Sequence, residues 1–194
     1  MPQLVASPSS GQVSLRRATP ADALALAAGI QPDTFRHFMR LQPASAEVQH
    51  VAAYIEALNA SPEIWPYTVR WRDEVVGMTC ATHLRPEAGQ YGIGLTWYFP
   101  SARRTAVNPA AKWLLLRDAF ERVQAVRVQL QCDAENRISA GAIQKLGATH
   151  EGTLRQSGFR SDGSLRDTMV FSILPSEWPA IEAKLLQRMQ ILSQ

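Results

Sequence analysis

Three consecutive residues, Arg103-Arg104-Thr105, stand between an aromatic-rich apolar segment, Leu95–Phe99, and an apolar helical pattern that begins near Pro109. In an open sheet, a strand that ends where a helix begins offers unpaired backbone N–H groups and the positive end of the helix dipole, and both favour a phosphate. The loop formed by Arg103, Arg104, Thr105, Ala106, Val107 and Asn108 is therefore a candidate anion-binding segment. A second pair, Asn136 and Ser139, opens another helical pattern. Their spacing of three places both side chains on one face of a first turn, where an amide and a hydroxyl can reach a common partner. Asn136 also fits a plain N-cap, and Ser139 an ordinary first-turn residue. By residue type alone, Glu151, His83, His150 and Tyr91 could carry a proton.

The elements that must position these residues follow from periodicity. Val13–Arg17 reads as a strand, and Thr19-Pro20-Ala21-Asp22 signals a helix start, with Ala21–Gly29 helical. A segment bracketed by Pro32 and Pro43, with Phe35, Phe38 and Met39, reads as a short helix, and Ala46–Ala60 as a longer one. Tyr67–Trp71, Val75–Leu84 and Gln90–Phe99 are three successive antiparallel strands. Helix Pro109–Val123 leads to the strictly alternating strand Val126–Cys132, so the strands on either side of that helix are expected to be parallel neighbours in a right-handed crossover. Helix Asn136–Leu146 ends at Gly147. Strands Thr149–Phe159 and Leu165–Ile173 flank an Asp162-Gly163 hairpin signal, and an amphipathic helix follows Ser176. Arg166-Asp167 reads as a structural charge pair within that hairpin.

Composition narrows the classes. A chain of 194 residues, 46% hydrophobic and 19% charged, suits one domain that buries roughly 70% of its unfolded surface. Met1–Gln12, with its Ser-Pro-Ser-Ser-Gly cluster, reads as a flexible leader, and residues 13–194 as the single domain. A net charge of +3 without a basic run argues against nucleic acid and is compatible with an acidic small ligand. Cys80 and Cys132 sit in apolar runs and read as buried thiols; the histidines show no metal-ligand spacing, so no metal is expected. No secretory signal pattern or membrane-length apolar run is present, which makes the cytoplasm the expected location.

The element order, together with Arg104-Thr105-x-x-Asn108, Asn136-x-x-Ser139 followed by Lys145-Leu146-Gly147, Glu151-Gly152-x-Leu154-Arg155, Gly163-x-x-Arg166-Asp167-Thr168, Ser172-Ile173 and Glu177-Trp178-Pro179, resembles the GNAT superfamily of N-acyltransferases. Within it the chain is similar to the branch of ribosomal-protein N-terminal acetyltransferases (RimJ/RimL-like), over nearly its whole length from Val13. The resemblance implies an α+β fold: a central twisted, mixed, seven-stranded sheet with helices on both faces. It implies acetyl-CoA as acyl donor, held by residues 103–108 with Asn136 and Ser139, and an acceptor amine that is a peptide N-terminus or a small molecule. It further implies that Asn136 and Ser139 lie beside the cofactor's sulfur, with Ser139 donating to the departing thiolate, and it favours Glu151 as the base because Glu151 falls in a matched segment. The superfamily's pyrophosphate loop usually carries Gln/Arg-x-x-Gly-x-Gly/Ala; here Arg104 replaces the first glycine, so its backbone must avoid positive φ or accept strain. The acid usual one turn into the next helix is Ala110.

Acyl transfer to nitrogen requires a neutral amine, a donor for the oxyanion and a proton for the thiolate. An α-amino group with pKa about 8 is roughly 10% neutral at pH 7, whereas a lysine is below about 0.1% neutral. Two other classes fit the same residues: a regulatory module that binds acyl-CoA through a degenerate loop without turnover, and an interaction protein with a vestigial pocket. The apolar final helix leaves both a monomer and a homodimer open.

Overall fold

The computed structural model describes residues 4–6, 12–39 and 41–192. All seven expected strands are present: β2 Val13–Arg17, β3 Trp65–Trp71, β4 Glu74–Arg85, β5 Gln90–Tyr98, β6 Arg127–Asp133, β7 Thr149–Phe159 and β8 Leu165–Ile173. Leu4–Ala6, within the expected leader, adds an edge strand, β1, antiparallel to β2. Residues 1–3 and 7–11 of that leader lie outside the described residues. The sheet runs β1-β2-β3-β4-β5-β6-β8-β7 and is antiparallel except for β5 and β6. The expected parallel pair therefore sits at the centre of the sheet, joined by a crossover helix.

Turn chemistry sets several registers. Arg72 and Asp73 both take positive φ, 52° and 64°, as a two-residue hairpin turn of the primed type requires. Gly163 at φ 86° closes the β7–β8 hairpin, and Gly147 at φ 101° caps its helix as expected.

Helices α1 Ala23–Ala27 and α2 Val48–Ala60 cover one face, and α3 Val107–Arg117, α4 Arg137–Leu146 and α5 Trp178–Ile191 belong to the other. The helix expected between Pro32 and Pro43 is instead a run of tight turns. Its backbone bonds, Thr34 N–H to Gln31, Arg36 to Asp33 and Phe38 to Phe35, each span three residues, and the Thr34 hydroxyl accepts the Gln31 N–H in place of a helical carbonyl. This lip is pinned by aromatic edges. Phe35 meets Phe38 at 5.2 Å and Trp97 of β5 at 5.6 Å, both nearly perpendicular.

Two cores result. The α1/α2 core packs Leu26, Val51, Ile55 and Leu58 against Met78, Cys80 and Trp97. The larger one packs α3, α4 and α5 against Tyr67, Ile93, Val128, Leu130 and Phe171. Leu114, Leu115 and Leu116 of α3 are fully buried in it. Truncating Leu115 to Ala should lower the unfolding free energy by about 2–5 kcal/mol in urea titration, with no change in the slope of that titration.

Candidate active site

The sheet opens where its parallel pair ends. β5 and β6 pair from Gln90↔Arg127 to Ile93↔Leu130 and no further, while β5 continues to Tyr98 and β6 to Asp133. A register shift against β4 between Met78 and Cys80, with Leu95 at φ 50°, marks a bulge just past that point. Gly94, Leu95 and Thr96 are correspondingly part-exposed within an otherwise central strand. The backbone edge of β5 that faces the gap has no strand partner there among the described residues, which leaves an edge with which an extended ligand can pair, while Gly94 O accepts from Thr96 Oγ1 at 3.3 Å and Tyr98 O from Arg103 Nε at 3.0 Å.

Two helix N-termini stand at this mouth, because α3 follows β5 and α4 follows β6 and the two strands run in the same direction. Ligand sites in open α/β sheets collect at such carboxyl ends of parallel strands. At α3, the Thr105 hydroxyl donates to Ala102 O at 2.8 Å and accepts from Val107 N–H at 3.2 Å. Pro109 has no N–H, so Ala106 and Asn108 carry the first-turn donors left for an anion. Arg104 takes φ 63°: the residue that replaces the usual glycine accepts the left-handed conformation. Arg103 and Arg104 are both exposed, and Arg103 Nε donates to Tyr98 O. The Asn108 side chain accepts from the Tyr98 hydroxyl at 3.2 Å.

At α4, Asn136 is the N-cap, its Oδ1 accepting the Ser139 N–H at 3.0 Å. Burial raises the pKa of the Cys132 thiol at the end of β6, and the neighbouring Ser139 side chain offsets part of that rise.

The opposite, lip-covered face carries a cluster of charges. Asp133, the last residue of β6, is buried and accepts from Arg160 Nε at 2.6 Å, Arg160 Nη2 at 2.9 Å, Glu135 N–H at 3.0 Å and His37 Nδ1 at 3.4 Å. Burial alone would raise its pKa, but the Arg160 guanidinium, the amide and His37 outweigh this and hold it at about 2. The lip closes over the site through an antiparallel bridge between Met39 and Arg160.

Sequence reasoning missed His37, Asp133 and Lys112. His37 and Asp133 are 96 positions apart and give no local signal. Lys112 sits on α3 and donates to Thr96 Oγ1 at 3.0 Å, and Thr96 Oγ1 in turn lies 2.7 Å from Thr79 Oγ1. Burial pulls the Lys112 pKa down to about 8. Its i+4 spacing from Asn108, on the sheet-facing side of the helix, was the one available hint.

The expected proton carriers lie elsewhere. Glu151 is level with Ser172 and Gln129, on the closed side of the divergence, in a two-pronged ion pair with Arg127 and accepting the Ser172 hydroxyl at 2.7 Å. Arg127, helped by Ser172, lowers its pKa to about 2, and a carboxylate so held is a weak proton acceptor. Tyr91 is buried, donates to Asp118 and has its pKa raised by burial. His83 is exposed beside Thr82, and His150 is exposed with its ring 5.0 Å from Phe171. Arg166 and Asp167 do not form the expected charge pair. As strand neighbours they face opposite ways, and Asp167 accepts the Gln156 N–H instead.

Because the Asp133 pKa is depressed on folding, its contribution to stability is complete above about pH 4 and is lost as pH falls toward 2. Asp133→Asn should therefore cost about 3–5 kcal/mol at pH 7, and the gap to wild type should narrow in urea titrations near pH 2.5.

The family profile of the acetyltransferase (GNAT) domain matches residues 12–149. A protein from T. thermophilus designated an acetyltransferase shares 33% identity over 91% of this chain and 93% of its own, with a TM-score of 0.84. A probable GNAT-family acetyltransferase from Chromobacterium violaceum ATCC 12472 is 27% identical over 92% of this chain and 93% of its own, with a TM-score of 0.79. The fold is also that of Mycobacterium smegmatis RimJ, solved with CoA-disulfide, at 22% identity over 97% and 95% of the two chains and a TM-score of 0.80. No curated protein matches. With the family profile running from the first described loop through β6 and α4, and a third of the residues shared with a structure of the same fold, the chain belongs to the GNAT acetyltransferase family and is an N-acyltransferase.

Proposed function

We propose that the protein transfers an acetyl group from acetyl-CoA to a primary amine, a peptide N-terminus or a small molecule, by direct attack within a ternary complex. The observation that carries this reading is the divergence of β5 and β6 after Ile93 and Leu130, with α3 and α4 both starting at the resulting gap. The donor's chemistry fits the residues there. Its pyrophosphate suits the Ala106 and Asn108 amides with Arg104 nearby, and its amide-bearing arm suits the unpaired edge of β5. Lys112, mostly protonated at pH 7, adds positive potential beneath the same edge. Arg104 already holds the left-handed geometry that a glycine would have supplied, which favours a working loop over the degenerate module.

The two faces of the sheet divide the labour. Ser139 and Cys132 lie on the α4 side, His37 and Asp133 on the lip side, and the gap between the strands joins them. His37, oriented by Asp133 through Nδ1, takes the proton from the attacking amine. Backbone N–H groups of the open β5 edge receive the developing oxyanion, and the Ser139 hydroxyl donates to the departing thiolate. An α-amino group needs only this modest assistance, because roughly a tenth of it is neutral at pH 7.

The purified chain should release free thiol from acetyl-CoA in the presence of an amine acceptor. Ser139→Ala should lower kcat about 100-fold with CoA affinity retained, and a wild-type rate in that variant would remove Ser139 from the chemistry. With an α-amino acceptor, His37→Gln should cost a similar factor at pH 7 and much less at pH 9, where that amine is mostly neutral unaided. Arg104→Gly should raise stability by about 1 kcal/mol by releasing the left-handed strain, while calorimetry shows weaker CoA binding. Unchanged affinity would show that its charge has no role.

A further inference from the structure

Two arginines of the β7–β8 hairpin have opposite fates. Arg160 is saturated: besides its bonds to Asp133, it donates to Ser164 Oγ and Leu165 O and pairs with Glu135 at 2.9 Å. Arg166 is just as buried, 7% exposed, yet its Nε has no hydrogen-bond partner among the described residues and no carboxylate there forms an ion pair with it. A buried cation is ordinarily paired, because the loss of hydration must be compensated. Asp133 is the carboxylate whose charge acts on it, but the oxygens of Asp133 are already engaged by Arg160, the Glu135 amide and His37.

The register locates this cation. Thr168 pairs with Asp133, so Arg166, two residues away on β8, shares its face. Directly opposed residues of antiparallel strands also share a face, and the partner of Arg166 is Gly158. A Cβ on Gly158 would lie 2.6 Å from Met39 Cε. Arg166 therefore lies beneath the lip, on the face that carries His37 and Asp133, and about 7 Å along the strand from Asp133 at two residues' rise.

We propose that Arg166 is the anion-recognition group of the acceptor site, and that the preferred acceptor is a primary amine bearing a carboxylate four to five bonds from its nitrogen. This rests on the acyltransferase reading above: the amine lies at His37 and the carboxylate supplies the partner that Arg166 lacks. A free amino acid of the 4-aminobutyrate kind and a peptide with N-terminal Glu present the same two groups at that separation. Gly158 has no side chain, so the lip rather than a cross-strand neighbour covers the site.

The test measures kcat/KM on the full chain with matched amines: 4-aminobutyrate against its amide, and a peptide beginning with Glu against the same peptide beginning with Met. The expected result is a preference of about tenfold or more for the carboxylate partner in at least one pair, and the pair that shows it identifies the source. Arg166→Met should reduce that preference to within about twofold, and Arg166→Lys should restore part of it. Equal kcat/KM for acid and neutral acceptors in the wild type overturns the anion site but leaves the transferase reading standing; the wild-type comparison needs no variant to fold. Persistence of the preference in Arg166→Met also overturns it. Absence of thiol release with every amine overturns both readings.

Discussion

The site depends on one failure of pairing. After Ile93 and Leu130 the parallel strands β5 and β6 stop pairing, although both continue. Unpaired backbone in a sheet centre is costly unless something else satisfies it, so the gap persists only because the rest of the fold holds it open. The Leu95 bulge turns β5 away, the lip aromatics grip Trp97 from one side, and α3 packs three buried leucines from the other. β6 is held back by its antiparallel register with β8, which extends to Asp133↔Thr168, well past its last contact with β5.

Charge is distributed around that opening by depth. The exposed Arg103 and Arg104 sit at its rim, half-buried Lys112 lies under the β5 edge, and Asp133 with Arg160 forms a buried knot on the lip side. The knot has a structural consequence. Asp133 reaches His37 from the lip, Arg160 from the hairpin and the Glu135 amide at the head of α4, so one carboxylate ties these three segments together. Against its burial, the Arg160 guanidinium, the Glu135 amide and His37 hold its pKa low, so it is ionised at physiological pH.

The strands and most helices were legible because they rest on local periodicity. Val126–Cys132 alternates strictly, Gly147 and Asp162-Gly163 mark their turns, and the crossover length makes β5 and β6 parallel. The placement of residues 103–108 and of Asn136 and Ser139 at two helix starts was legible for the same reason, since each is a set of near neighbours in sequence. The lip was misread because Phe35, Phe38 and Met39 have helical spacing, while the preference for tight turns comes from Pro32, Thr34 and contacts with Trp97. The ion pair of Glu151 was not legible, because nothing local shows that Arg127, 24 positions away, claims its carboxylate. His37 and Asp133 were invisible in principle: their proximity is made by folding, not by spacing. Arg104 is the intermediate case, since its identity exposed the conflict with a glycine position and only the backbone shows it resolved by accepting positive φ.

Hydrogen–deuterium exchange with and without CoA probes the opening most directly, because it reads the backbone amides that the gap leaves unpaired. If the divergence of β5 and β6 is the donor site, CoA should slow exchange selectively over Gly94–Tyr98 of β5 and over Arg104–Asn108 at the start of α3, and leave β1–β3 unchanged. Protection that falls elsewhere, or none at CoA concentrations that saturate binding, would contradict the assignment of the site to this gap.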